Sequence, residues 1–121
     1  MQIHIIHPDP ALEYDFIEGC GILECWNNPD DPHTSIARAR VAPGATTRWH
    51  ALKDVVERYL ILSGSGQVDI GDAQGVAVQA GDVVVIPAGV PQRIKNIGTD
   101  DLLFYAICTP RFTPACYAAL E

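Results

Sequence analysis

Basic residues are scarce in this chain and missing altogether from its first third. Eight Lys and Arg stand against fifteen Asp and Glu, a formal charge of −7 with a pI near 4.8. Residues 1–37 hold seven acids (Asp9, Glu13, Asp15, Glu18, Glu24, Asp30, Asp31) and no Lys or Arg, so they carry the whole net charge. An acidic chain without a basic stripe argues against nucleic acid or an anionic membrane as a partner. Met1-Gln-Ile-His-Ile-Ile-His-Pro8 lacks the basic flank of a signal peptide. Apolar runs fall well short of the roughly 20 residues that span a bilayer. The expected location is therefore the cytoplasm. None of the four cysteines (Cys20, Cys25, Cys108, Cys116) forms a zinc-type Cys-x-x-Cys pair, so in a reducing compartment they are expected to be small buried hydrophobes or free thiols. Neither an internal repeat nor a low-complexity tract is present.

At 121 residues the chain is expected to form one domain, burying roughly two-thirds of its unfolded surface. Nine prolines and ten glycines punctuate its short apolar runs, which favours an all-β sandwich or barrel. Residues 1–35 read as an N-terminal arm, with an edge strand at Ile3 to Ile6 and a hairpin at Glu18 to Trp26. A strand at Ile36 to Val41 follows. Gly66 to Ile70, Val76 to Gln79 and Val83 to Ile86 read as an antiparallel meander, then strands at Arg93 to Asn96 and Leu102 to Thr109. The tail from residue 110 to 121 is expected to hold a helical turn over Ala115 to Leu120, N-capped by Thr113 with Pro114 first. The acids of the first third serve solubility on the simplest reading; the sharper one pairs them with Arg38, Arg40, Arg48, Arg58 or Arg93. Arg38 and Arg40 alternate with small residues, so they either sit solvated on an outer face, the simpler reading, or wall a pocket for a carboxylate or phosphate.

The organising stretch is Gly44 to Gly64. Val55 to Leu62 reads as a strand closed by Ser-Gly-Ser-Gly, with Val55, Glu57, Tyr59 and Ile61 on one face and Val56, Arg58, Leu60 and Leu62 on the other. Neither face is cleanly polar, which shelters a charge where an unpaired one is costly. His50 is the expected partner of Glu57. A second stretch, Gly81 to Asn96, runs a short apolar strand through Pro87-Ala-Gly89 into another strand.

Together the two stretches resemble the paired motifs of the cupin superfamily over about residues 36–108. Gly44, His50, Glu57 and Gly64 match the first motif's spacing, and Gly81, Pro87, Gly89 and Asn96 the second. The resemblance implies an antiparallel jelly-roll barrel, or double-stranded β-helix, with a pocket between two sheets, and usually a homodimer. It also implies a metal held by three His and one Glu, but the second His is Leu52 here and the third Gln92. His50, Glu57 and Gln92 suit one weakly bound Mn, Fe, Zn or Ni ion, and losing two imidazoles should weaken it by at least the ~10–100-fold that a lost supporting partner costs.

Three functional readings stay open. His50 and Glu57 form an acid/base dyad in a lyase or isomerase, with Tyr59 as a second proton donor and Gln92 orienting substrate, as some cupins work without metal. The pocket binds a small ligand without turnover. Or a reduced His/Glu/Gln site supports a metal-dependent oxygenase. If Glu57 and Gln92 point inward, Tyr59, Ile61, Ile94 and Asn96 follow and Arg58, Arg93 and Lys95 point out.

Overall fold

A computed structural model describes all 121 residues. Eleven strands form two antiparallel sheets, as expected for a jelly-roll barrel. They are β1 (Tyr14–Phe16), β2 (Cys20–Trp26), β3 (Ser35–Val41), β4 (His50–Leu52), β5 (Val56–Ser63), β6 (Ser65–Ile70), β7 (Ala73–Gln79), β8 (Val83–Ile86), β9 (Gln92–Asn96), β10 (Leu102–Thr109) and β11 (Tyr117–Ala119). The first sheet runs β1-β2-β3-β10-β5-β8 and the second β11-β4-β9-β6-β7. No helix is long and apolar enough to cross a membrane.

Period-two alternation places the core. In β5, Glu57, Tyr59 and Ile61 are buried, while Arg58 and Leu60 are only half-buried. In β9, Gln92, Ile94 and Asn96 are buried, Arg93 is half-buried and Lys95 exposed. Both strands therefore turn the expected faces inward. Ile61, Ile86, Ile94, Leu102 and Phe104 fill the space between the sheets, each contributing roughly 1.5–3 kcal/mol of apolar burial. Asn96, fully buried, donates from Nδ2 to the carbonyls of Val41 and Asp100, both at 2.8 Å. This side chain closes the barrel end where the second motif finishes.

The ends of the chain depart from the sequence reading. Residues 1–9 form no strand, with Ile3 and Ile5 exposed. The N-terminal hairpin pairs β1 with β2, and β2 joins β3, so the arm extends the first sheet. The expected helical turn is a short 3-10 turn at Pro114–Cys116, with no side-chain cap from Thr113, followed by β11 paired to β4. The meander is corrected as well: β6 and β7 form a hairpin, but β8 crosses to the other sheet and pairs with β5. Local alternation reveals a strand without saying which sheet receives it.

Candidate functional site

His50 opens β4, a three-residue strand whose residues are all buried. Its Nδ1 lies 2.6 Å from the Arg48 carbonyl oxygen. A carbonyl only accepts, so Nδ1 carries the hydrogen. Nε2 meets Glu18 Oε2 at 3.0 Å. The expected His50–Glu57 dyad is therefore replaced by His50–Glu18. The reason is topological: His50 and Glu57 lie in different sheets, whereas the Arg48 amide donates to the Glu18 carbonyl at 2.8 Å and ties the β1–β2 turn across His50. Glu18 Oε1 accepts from the Cys20 thiol at 3.1 Å. The Tyr117 ring stacks on His50, centroids 5.1 Å apart and planes 18° from parallel.

Glu57 faces the same space from the other sheet. Burial, and then the nearby Glu18 carboxylate, push its carboxyl up to about 7 against the opposing influence of the Gln92 amide and the Cys108 thiol. Cys108 Sγ stands 3.6 Å from Oε2, while Oε1 has no hydrogen-bond partner although the residue is only 8% exposed. Gln92 sits beside His50 in the second sheet. Its Oε1 accepts the Tyr59 hydroxyl, and its Nε2 faces Glu57 without completing a hydrogen bond. Burial holds Tyr59 and the thiols of Cys20 and Cys108 well above their ordinary values, so they stay protonated.

These side chains surround a cavity of about 50 Å³ between the sheets. Glu18, His50, Glu57, Tyr59, Cys108 and Tyr117 line it, with Phe16, Phe104 and Phe112. Gln92 is fully buried and stands behind the wall, so it supports Tyr59 and Glu57 rather than meeting a ligand. Tyr59 reaches the cavity, but its hydroxyl hydrogen is committed to Gln92, which makes it a positioning residue and not a second acid. Arg38 and Arg40 are corrected from the substrate-binding set. Ala37 and Ala39 of β3 line the cavity, so alternation turns both arginines away from it. Arg40 instead holds Glu13, Nε to the two carboxylate oxygens at 3.0 and 3.1 Å. Glu13 and Glu18 thus have defined partners, and the acidic third is more than a solubilising surface.

The donor set does not fit a divalent ion. Both His50 nitrogens are engaged within the protein, Leu52 offers no donor, and the Gln92 oxygen accepts from Tyr59. Only Glu57 keeps a free oxygen. Nowhere do three His, Cys, Asp or Glu side chains gather to hold a metal. The expectation of a His50/Glu57/Gln92 centre, and the oxygenase reading built on it, is not supported by this geometry.

The cupin domain family matches residues 37–108, well over half of the chain. The chain is a cupin. Among curated relatives, an uncharacterized protein of Methanocaldococcus jannaschii is 33% identical over 79 residues, covering 65% of this cupin and 62% of the relative. Glucose-6-phosphate isomerase of Pyrococcus furiosus is 36% identical over 63 residues, covering 49% of this cupin and 33% of the isomerase. The cupin thus spans less than two-thirds of the length of either. Among solved structures, Streptomyces Pac13 with uridine superposes with a TM-score of 0.81 at 13% identity, covering 99% of this cupin and 92% of Pac13. A predicted oxalate decarboxylase of Thermotoga maritima gives 0.73 at 24% identity, covering 87% and 93%. At such identities the two structures share the fold.

Glu18 and Tyr117, which complete the His50 site, were not legible as site residues. Glu18 is one of seven acids in a stretch without bases, and Tyr117 falls in a tail that reads as helical. The only signal was the excess of acid itself, which needed partners from somewhere.

Proposed function

We propose that this cupin is an acid–base enzyme of the lyase or isomerase type acting on a small molecule held between the sheets, with Glu57 as proton donor and the Glu18–His50 pair as proton acceptor. The carrying observation is that Glu57, a buried carboxyl with one unpaired oxygen, shares a cavity with a second carboxyl already backed by an imidazole. Two carboxyls in unlike environments divide acid and base roles between them. With Nδ1–H fixed on the Arg48 carbonyl, a ring that carries a second proton donates it from Nε2 to Glu18, and as an imidazolium supports the charge on that carboxylate.

In this reading a proton leaves the carbon beside a substrate carbonyl for Glu18, and the C–H electrons form an enolate. Glu57 then gives its proton to oxygen. In an isomerisation of an α-hydroxy carbonyl compound that oxygen is the enolate's own, giving an enediol. Glu18 then returns its proton to the former carbonyl carbon while the other enediol hydroxyl gives its proton to the Glu57 carboxylate, leaving the transposed carbonyl. In an elimination it is the β-hydroxyl, whose C–O bond breaks with release of water. Proton transfer of this kind contributes ~10²–10⁴-fold. Pac13 is described as a nucleoside dehydratase and the Pyrococcus relative as glucose-6-phosphate isomerase, which supports these two reaction classes without assigning a substrate. A homodimer belongs to the same proposal, through the outer face of the first sheet where Leu62, Val83 and Val85 are exposed.

The test is proton exchange in D2O across a panel of neutral hydroxy-carbonyl compounds, followed by NMR. Deuterium entry or elimination should require both Glu57 and His50; exchange that survives Glu57→Gln at full rate would sink the assignment. One observation favours ligand binding without turnover, namely that both His50 nitrogens are bonded inside the protein. A panel with no exchange in any member would move the reading there.

A further inference from the structure

The cavity wall is mostly apolar, and its charged side chains are acids but for one. Glu18 and Glu24 come from the β1–β2 hairpin and Glu57 from β5, against a single basic group, His50, already taken by Glu18. No Lys or Arg lines the cavity. Two hydrogen-bonding atoms on this wall have no partner, Glu57 Oε1 and the Tyr117 hydroxyl. A carboxylate or phosphate here would place a further negative charge beside those present, away from bulk water, where like charges repel strongly. A neutral or cationic donor would instead satisfy the Glu57 oxygen.

Size adds a second constraint. The inner space is about 50 Å³, whereas a dry cavity that admits benzene measures ~150 Å³. A ring cannot enter whole. Outside lies a vestibule of about 440 Å³ that shares Tyr14, Phe16, Glu24 and Phe112 with the cavity and adds Trp26 and Arg111. Phe16 meets Tyr117 edge-on at 5.4 Å and Phe112 at 6.0 Å, so aromatic surface continues from the ring stacked on His50 out to the vestibule. Flat rings pack well against such surface.

We infer that the ligand has two parts, a flat unsaturated ring seated in the vestibule and an uncharged or cationic hydrogen-bond-donating head in the inner cavity, and that anionic heads are refused. This rests on the acid–base reading only for the location of the site. The charge preference concerns binding, so a failure to turn over any compound leaves it standing.

Benzylamine, benzyl alcohol and benzoate carry one ring and three head charges. Their dissociation constants for the full chain at pH 7.5, from ligand-observed NMR, decide the matter. Benzylamine and benzyl alcohol should each bind at least about tenfold more tightly than benzoate, Glu57→Gln should narrow the gap between benzylamine and benzoate, and Phe112→Ala should weaken both favoured probes. Should Glu57→Gln not fold, Glu24→Gln at the cavity mouth makes the same comparison. Benzoate binding as tightly as benzylamine overturns the inference. So does a gap indifferent to loss of the carboxylate, as seating on Arg111 would give, and so does no binding by any of the three.

Discussion

Replacing Glu57 with Gln removes a charge and keeps the shape, so its effect on stability can be worked from the protonation of one group. Burial and the neighbouring Glu18 carboxylate raise the Glu57 carboxyl from an ordinary 4.5 to about 7 in the folded chain. Between those values the unfolded chain has released the proton and the folded chain keeps it. The native state therefore binds more protons, and stability falls as pH rises through this window. At about 1.36 kcal/mol for each tenfold change in the proton equilibrium, the loss approaches ~3 kcal/mol above pH 7. Glu57→Gln carries no such penalty. The variant should match the wild type near pH 4.5 and exceed it by ~3 kcal/mol at pH 8, about 10 °C in melting temperature for a domain of this size. Thermal melts of both proteins from pH 4.5 to 8.5 measure the difference, in which titrations common to both cancel. A difference flat with pH would refute the buried, charge-strained carboxyl, and with it the proton donor of the proposed mechanism.

Four further outcomes follow from the same geometry. Tyr117→Phe removes a buried hydroxyl without a partner, so chemical denaturation should show stability unchanged or slightly raised, while binding of a ligand that uses the hydroxyl weakens. Arg40→Ala breaks the pair with Glu13, but the arginine is 37% exposed, so the loss should be about 1 kcal/mol or less, with cavity binding unaltered. Gly64→Ala should cost ~2 kcal/mol or more in urea unfolding, because φ is +89° and the new Cβ would lie 2.9 Å from the Asp101 carbonyl oxygen. Light scattering at micromolar concentration should give twice the 13.1 kDa chain mass; a clean monomer would remove the outer-face dimer.

How much was legible follows from how far each inference had to reach. Alternation within β5 and β9 put Glu57, Tyr59, Gln92 and Asn96 inward, because direction along a strand is a local property. The motif glycines gave the turns for the same reason. The partner of His50 was not local. It is fixed by the β1–β2 turn folding back across β4, held by one backbone hydrogen bond from Arg48 to Glu18, and nothing in the spacing of Glu18 announces that. The destination of β8 was hidden likewise, since a four-residue apolar strand suits either sheet.

The two substituted motif positions bear on the proton chemistry proposed for this site. Leu52 packs into a small apolar cluster with Val55, Cys108 and Cys116, and the β10–β5 register sets Cys108 opposite Glu57, its thiol 3.6 Å from Oε2. Gln92 accepts the Tyr59 hydroxyl and turns its amide toward the same carboxyl. A histidine at 52 would bring a polar ring into the apolar cluster, and one at 92 would take away the amide that accepts from Tyr59 and stands beside Glu57. Burial raises the Glu57 carboxyl, and the Gln92 amide and Cys108 thiol temper the rise. The replacements do not merely delete ligands: they rebuild the wall around Glu57, and a carboxyl pushed up to about 7 is one that gives and takes a proton near neutral pH.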